Sequence, residues 1–88
     1  MRINLVTPEQ KARLLYRCRR GMLELDLILK DFINNNIDLL TEHQLKSFEY
    51  LLEQTDPEIN FWLLGHDVPK EKELADIVTL IRLKYHTK

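Results

Sequence analysis

A chain of 88 residues is long enough for one small domain, residues 1–88, with a thin hydrophobic core. Hydrophobic residues make up 44% and charged residues 31%, and the net charge of −1 gives no overall attraction to nucleic acid or to an anionic membrane. No apolar run reaches the roughly 18 residues that a membrane span needs, and the N-terminus resembles no signal or transit peptide. We therefore expect a cytoplasmic protein with no membrane partner.

The first predicted element is a helix that starts at Thr7. Thr7 can cap it, Pro8 suits the first helical position, and Gln10 completes a capping box. The helix is expected to run to about Arg19, with an apolar side made of Leu14, Leu15 and Cys18. Gly21 can end this helix or mark its junction with the next.

The second predicted helix follows Gly21. Residues 23–29 alternate apolar and acidic at first, as a strand does, but the apolar spacing continues at helical period for more than two turns. The acids Glu24 and Asp26 lie near its start, where the helix dipole favours negative charge. Three asparagines, residues 34–36, end it. Its apolar stripe consists of Leu25, Ile28, Leu29, Phe32 and Ile33.

Three further helices are predicted in the second half of the chain. Thr41–Gln44 is another capping box, Asp56–Glu58 repeats the start signal for a short helix that ends at Gly65, and Val68-Pro69 leads into the last helix. No stretch is a convincing strand. Five helices with short connections predict an all-α fold, a small antiparallel five-helix bundle.

The sequence offers little for catalysis. The three histidines are far apart and have no partner at metal-ligand spacing, and neither glycine belongs to a phosphate-binding loop. Cys18, the single cysteine, is flanked by arginines that can lower a thiol pKa, but packing on the apolar side of the first helix is the preferred interpretation. We predict a non-enzyme with no catalytic residue, no metal site and no tightly bound cofactor.

The segment around Gly21 concentrates positive charge. Residues 1–20 carry six bases and one acid, whereas residues 21–88 carry seven bases and thirteen acids. Helix capping explains most of this, because arginines end one helix and acids begin the next. The alternative is a docking site, in which Arg20 binds a carboxylate through its guanidinium fork and Gly21 admits a partner's backbone. Glu24 would then either hold Arg20 in place or carry its own charge across the interface.

A second candidate surface is the apolar run Phe61–Leu64 on the short fourth helix. Four large apolar residues on two turns cannot all face one core. Trp62 is predicted as a core anchor, and an exposed Phe61 or Leu64 would form an apolar patch suited to a partner.

Two segments resemble signatures of one family. Arg20–Asp26 (RGMLELD) is similar to the RGxxE signature of the SdhE family, the flavinylation factors of succinate dehydrogenase. Asp56–Gly65 resembles the same family's second signature, a D-P followed by W-L-x-G. The two occur in the right order and separation, and the resemblance covers essentially residues 8–85.

This resemblance implies a five-helix bundle that binds the flavoprotein subunit of succinate dehydrogenase or fumarate reductase and promotes covalent attachment of FAD. FAD would be the cofactor of the partner subunit. Arg20, Gly21 and Glu24 match the signature and would contact the partner, and we add the neighbouring Arg19 and Arg17 to this predicted set. Nucleic acid is not among the expected partners.

Two alternatives stay open. One is a small nucleic-acid-binding regulator that uses Arg13, Arg17, Arg19 and Arg20 as its basic face. The other is the antitoxin of a toxin–antitoxin pair, a role also proposed for proteins that resemble this one.

Overall fold

The computed structural model describes residues 6–85, and these residues form helices without a β-strand. The predicted all-α bundle of five helices is confirmed, and one short 3-10 turn, Ile37–Leu39, follows the second helix. The α-helices are α1 Pro8–Arg17, α2 Leu23–Asn36, α3 Glu42–Leu52, α4 Asp56–Leu63 and α5 Lys72–Lys84.

Three of the helices begin with a capping box, in which a threonine hydroxyl and a glutamine or glutamate side chain satisfy free backbone N–H groups. Two of these boxes are as predicted. In the third the cap is Thr55, so Asp56 is the first helical residue and its side chain is available for other contacts. The pairs are Thr7 with Gln10, Thr41 with Gln44, and Thr55 with Glu58.

All five α-helices contribute to one hydrophobic core. The rings of Phe32 in α2 and Phe48 in α3 stack at its centre, with 5.6 Å between centroids. Burial of each such ring contributes about 1.5–3 kcal/mol to folding. The fully buried side chains also include Leu29, Ile33, Leu51, Ile59 and Ile81.

The first helix is shorter than predicted. It ends at Arg17, two residues before the expected end, and the N–H of Cys18 donates to the carbonyls of Leu14 and Leu15. Residues 18–22 then form a turn into α2. Arg19 and Arg20 therefore lie beyond α1, and the basic face of Arg13, Arg17, Arg19 and Arg20 is not carried by one helix.

The end of α4 depends on glycine. The N–H of His66 donates to Phe61 (3.1 Å) and that of Gly65 donates to Trp62 (3.0 Å), which is the Schellman arrangement of a helix C-terminus. Gly65 has a φ of +82°, which L side chains rarely adopt. A Cβ atom at Gly65 would also lie 2.7 Å from the Arg82 guanidinium.

The two glycines should therefore respond differently to alanine. Gly65→Ala places a side chain at positive φ and should lower the free energy of unfolding by about 1–2 kcal/mol. Gly21→Ala is the matched control, because its Cβ would meet only Asp56 Oδ2 at an ordinary 3.7 Å. Urea denaturation followed by far-UV circular dichroism measures both. Equal losses for the two variants would contradict this account.

Candidate partner-docking site

The Arg20 side chain connects two turns of the chain that are distant in sequence. Its Nε donates to Asp56 Oδ1 (2.7 Å), and its terminal nitrogens donate to the carbonyls of Leu52 (2.9 Å) and Gln54 (2.8 Å). A weaker bond of 3.4 Å reaches the carbonyl of Arg17. The side chain is only 12% exposed. Arg20 is therefore bound within the fold, and its carboxylate partner is Asp56.

These carbonyls belong to helix ends. Arg17 is the last residue of α1, and Leu52 is the last residue of α3. The final carbonyls of a helix have no partner within it and carry the negative end of the helix dipole. One guanidinium thus satisfies carbonyls from two helix C-termini at once.

Asp56 plays the complementary part at two helix starts. It is the first residue of α4, and its Oδ2 accepts a hydrogen bond from the N–H of Gly21 (3.0 Å), just before α2. Burial alone would raise the pKa of Asp56. The hydrogen bond and charge of Arg20, together with the N–H groups of Gly21 and Met22, outweigh burial and hold this pKa below its usual value.

We call this arrangement of Arg20, Asp56 and the Gly21 N–H the Arg20–Asp56 junction. It fixes the turn before α2 against the turn before α4, so the two sequence signatures meet in space. Sequence reasoning offered Glu24 as the carboxylate that could hold Arg20, and it missed Asp56. No local spacing rule connects residues 36 apart.

Gly21 lies exposed at the surface of this turn. Its φ is outside the positive range, and an added Cβ would make only one ordinary contact. The described fold therefore has no steric or conformational need for glycine at this position. What glycine provides here is an uncovered stretch of backbone that the junction holds in place.

The other predicted contact residues divide into two groups. Glu24, in the first turn of α2, and Arg19 are exposed, and the Arg19 guanidinium lies 5.7 Å from the centre of the exposed Tyr16 ring. Arg17 is partly buried and donates to the carbonyl of Glu49 (3.3 Å). The contact role of Arg17, Arg19, Arg20, Gly21 and Glu24 stays a prediction, and of these five residues Gly21, Glu24 and Arg19 are exposed.

Comparison with known proteins identifies the family. Residues 12–85 match the family described as "Flavinator of succinate dehydrogenase". The chain belongs to this family. This result confirms the resemblance predicted from the two signatures.

Similar members of the flavinator family have been named individually. A protein of Legionella pneumophila (strain Lens) called "FAD assembly factor SdhE" is 60% identical over 73 residues, which cover 83% of this chain and 91% of that protein. A protein of the same name from Vibrio cholerae serotype O1 is 44% identical, with 85% and 87% coverage. The solution structure of a UPF0350 protein superposes with a TM-score of 0.78 at 41% identity, covering 92% of this chain and 86% of that one.

An apolar surface accompanies the polar turn in this family member. Leu23 and Leu27 of α2 are 71% and 57% exposed, and Phe61 and Leu64 at the end of α4 are also about half exposed. Trp62 packs partly buried against the core, in agreement with its predicted role as an anchor. The exposed Phe61 and Leu64 provide the apolar patch that the sequence raised as a possibility.

Cys18 is a packing residue. Its side chain is 0% exposed, and burial raises its pKa to about 12, against the opposing effect of the nearby Arg20 charge. Within residues 6–85, no cluster of three or more His, Cys, Asp or Glu side chains could hold a metal ion. None of the helices in this part of the chain has the length and apolar character to cross a membrane.

The thiol of Cys18 should be inert in the folded protein. Thiolate is the reactive form, and a pKa near 12 rather than 9.0 leaves roughly a thousandfold less of it at pH 8. We expect Ellman's reagent to leave Cys18 unmodified at pH 8 and to modify it fully in 8 M urea, as read by absorbance and intact mass. Rapid modification of the native protein would contradict the packing role.

Asp56→Asn should weaken the junction in a pH-dependent way. Because the folded-state pKa of Asp56 is lowered, its contribution is complete above the unfolded-state value near 3.8 and is lost as the pH falls through the folded-state value. We expect the variant to be about 1–3 kcal/mol less stable at pH 7, and the difference to shrink below about pH 4. Urea denaturation at pH 7 and pH 3 measures it. Asp38→Asn, at an exposed site outside the junction, should stay within about 0.5 kcal/mol of wild type.

Proposed function

We propose that this protein is an assembly factor that binds the flavoprotein subunit of succinate dehydrogenase, or of the related fumarate reductase, and promotes covalent attachment of FAD to that subunit. Membership of the flavinator family and the name "FAD assembly factor" of its relatives support this proposal. The groups that form the new bond belong to FAD and to the subunit. The contribution of this chain is binding, so it acts as a chaperone without a catalytic residue.

The exposed backbone at Gly21 carries the argument for the docking site. A glycine that the fold itself does not need is explained by a partner that must approach closely. Glu24 and Arg19 offer exposed charges of opposite sign on either side of it. In this proposal Gly21, Glu24 and Arg19 touch the subunit directly, whereas Arg20 and Arg17 hold the turn in its binding shape through their bonds to backbone carbonyls.

Binding can promote covalent attachment of FAD by stabilising one conformation of the subunit. A ligand favours the conformation that it binds more tightly, and it shifts the population by no more than that difference. Alignment of the reacting groups then lowers the barrier because less orientational freedom is lost in the reaction step. The rigid turn at Gly21 suits this role, since a preformed surface loses little entropy on binding.

FAD itself is assigned to the partner, because the relatives are named for its assembly and the concavity between α3 and α5 is a poor site for it. A concavity of about 500 Å³ lies between α3 and α5, which is large enough for part of a nucleotide. Its lining includes the carboxylates of Glu42 and Asp76 and no lysine or arginine. The two carboxylates repel a pyrophosphate and no lysine or arginine offsets them, so this lining opposes it.

The placement of the arginines favours a protein partner over nucleic acid. Arg17 and Arg20 donate to backbone carbonyls, which leaves Arg13 and Arg19 as the exposed members of the predicted basic face. Two arginines beside the acidic start of α2 make a poor site for a phosphate backbone.

Gly21→Arg tests the proposed function. The new side chain covers the exposed backbone, so we expect affinity for the flavoprotein subunit to fall at least about tenfold, or 1.4 kcal/mol, with helicity unchanged. Asn34→Arg is the matched control, because it adds the same side chain to an exposed site about 20 Å away along α2. Titration calorimetry with the purified subunit measures binding, and covalent flavin in cells that carry each variant measures function.

A subunit that binds Gly21→Arg as tightly as wild type would refute the site. Normal covalent flavin content in cells that lack the protein altogether would refute the function.

A further inference from the structure

A small socket opens beside Glu24, where α2, α4 and α5 meet. It has a volume of about 60 Å³, and a volume of this kind needs only about 10–15 Å³ to hold one water molecule. The socket therefore has room for several non-hydrogen atoms, about as many as a branched apolar side chain carries. Its walls consist of Glu24 and Ile28 from α2, Asn60, Leu63 and Leu64 from the end of α4, and Ile81, Arg82 and Tyr85 from the end of α5.

The walls of the socket are mainly apolar, and two opposite charges stand among them. Arg82 is exposed, and no acidic side chain within residues 6–85 forms an ion pair with it. Glu24 is likewise exposed without an ion pair in the described part of the chain. Two exposed charges beside an apolar socket suit an occupant that places an apolar group in the socket and an opposite charge against one of them.

The Arg82 head group lies against Gly65. A Cβ atom at Gly65 would come within 2.7 Å of one Arg82 nitrogen and 3.1 Å of its central carbon. The guanidinium therefore packs over the bare backbone that ends α4, next to the socket. This contact gives the last glycine of the second signature a role at the surface in addition to its role in helix termination.

We propose that the socket receives one apolar side chain of the flavoprotein subunit and that Arg82 binds a carboxylate next to it on the same segment. This inference rests on the proposed function and extends its site from the turn at Gly21 across Glu24 to the end of α4. The two parts are continuous, because Glu24 follows Gly21 by three residues and is itself a wall of the socket.

The chemistry of the occupant follows from the walls. Ile28, Leu63 and Ile81 give an apolar side chain a dry surface, and the half-exposed Leu64 extends that surface outward. A guanidinium binds a carboxylate through two parallel hydrogen bonds, which fixes the direction of the segment as well as its position. Glu24, which carries the opposite charge, accepts a hydrogen bond from a backbone N–H or from a basic group of the same segment.

A pair of charge reversals on α5 tests Arg82. Arg82→Glu places a like charge against the proposed carboxylate, and we expect affinity for the purified flavoprotein subunit to fall at least tenfold. Lys84→Glu is the matched control, since it makes the same charge change at an exposed position in the same helix turn but outside the socket, and it should change affinity less than threefold. Melting curves check the folding of both, and Arg82→Gln, which stays polar and loses the charge, replaces Arg82→Glu if that variant unfolds.

A filled socket tests the apolar side chain. Asn60→Phe puts an aromatic ring into the socket from the edge of α4. It should also weaken binding of the flavoprotein subunit at least tenfold, with helicity unchanged. If Asn60→Phe binds as wild type does, the socket is empty in the complex and the proposal is overturned.

The failures of the two proposals are distinguishable. If wild type binds the subunit, Gly21→Arg does not, and Arg82→Glu and Arg82→Gln bind normally, then the socket proposal is wrong and the proposed function stands. If the wild-type protein does not bind the subunit at all, both fail together.

Discussion

The ion pair between Arg20 and Asp56 is the interaction on which the rest of the architecture depends. Four helix ends converge on it: Arg20 binds carbonyls at the C-termini of α1 and α3, and Asp56 lies at the starts of α2 and α4. Each charge is matched to the dipole of the helix ends that it meets. The pair is mostly shielded from water, and the loss of either partner would leave the other charge and several backbone groups without compensation. The core of so small a domain is thin, so hydrophobic burial alone specifies the relative orientation of the helices only loosely. This polar contact fixes that orientation further.

This arrangement separates the residues that shape the proposed docking site from the groups that would touch a partner. The arginine of the first signature is turned inward, and its effect at the surface is the fixed position of the Gly21 backbone. The exposed groups are Gly21, Glu24 and Arg19, with the leucines at positions 23 and 27 close by in sequence. A small protein can offer a precise surface in this way, because the strong interactions are formed before the partner arrives and need not be formed again on binding.

The features that can be predicted from the sequence are those that depend on contacts between residues close together in the chain. The capping boxes at Thr7 and Thr41 and the helical spacing of apolar residues locate the helices, because each rests on contacts three or four residues apart. The end of α1 falls two residues earlier than predicted, since Arg20 is a good helix former and its contacts with Leu52, Gln54 and Asp56 instead place it in the turn. Folding brings distant segments together to form the ion pair of Arg20 with Asp56. It also places Glu24 and Arg82 in the wall of one socket. Local rules carry no information on either, although the two family signatures contain three of these four residues.

The half-buried position of Trp62 gives the protein a built-in optical probe. It is the only tryptophan in the sequence, it packs partly against the core, and its neighbours Leu63 and Leu64 line the socket. Indole fluorescence depends on the polarity around the ring, so a partner that covers the end of α4 would change the emission without any attached dye. One spectroscopic signal thus follows both the integrity of the bundle and events at its surface.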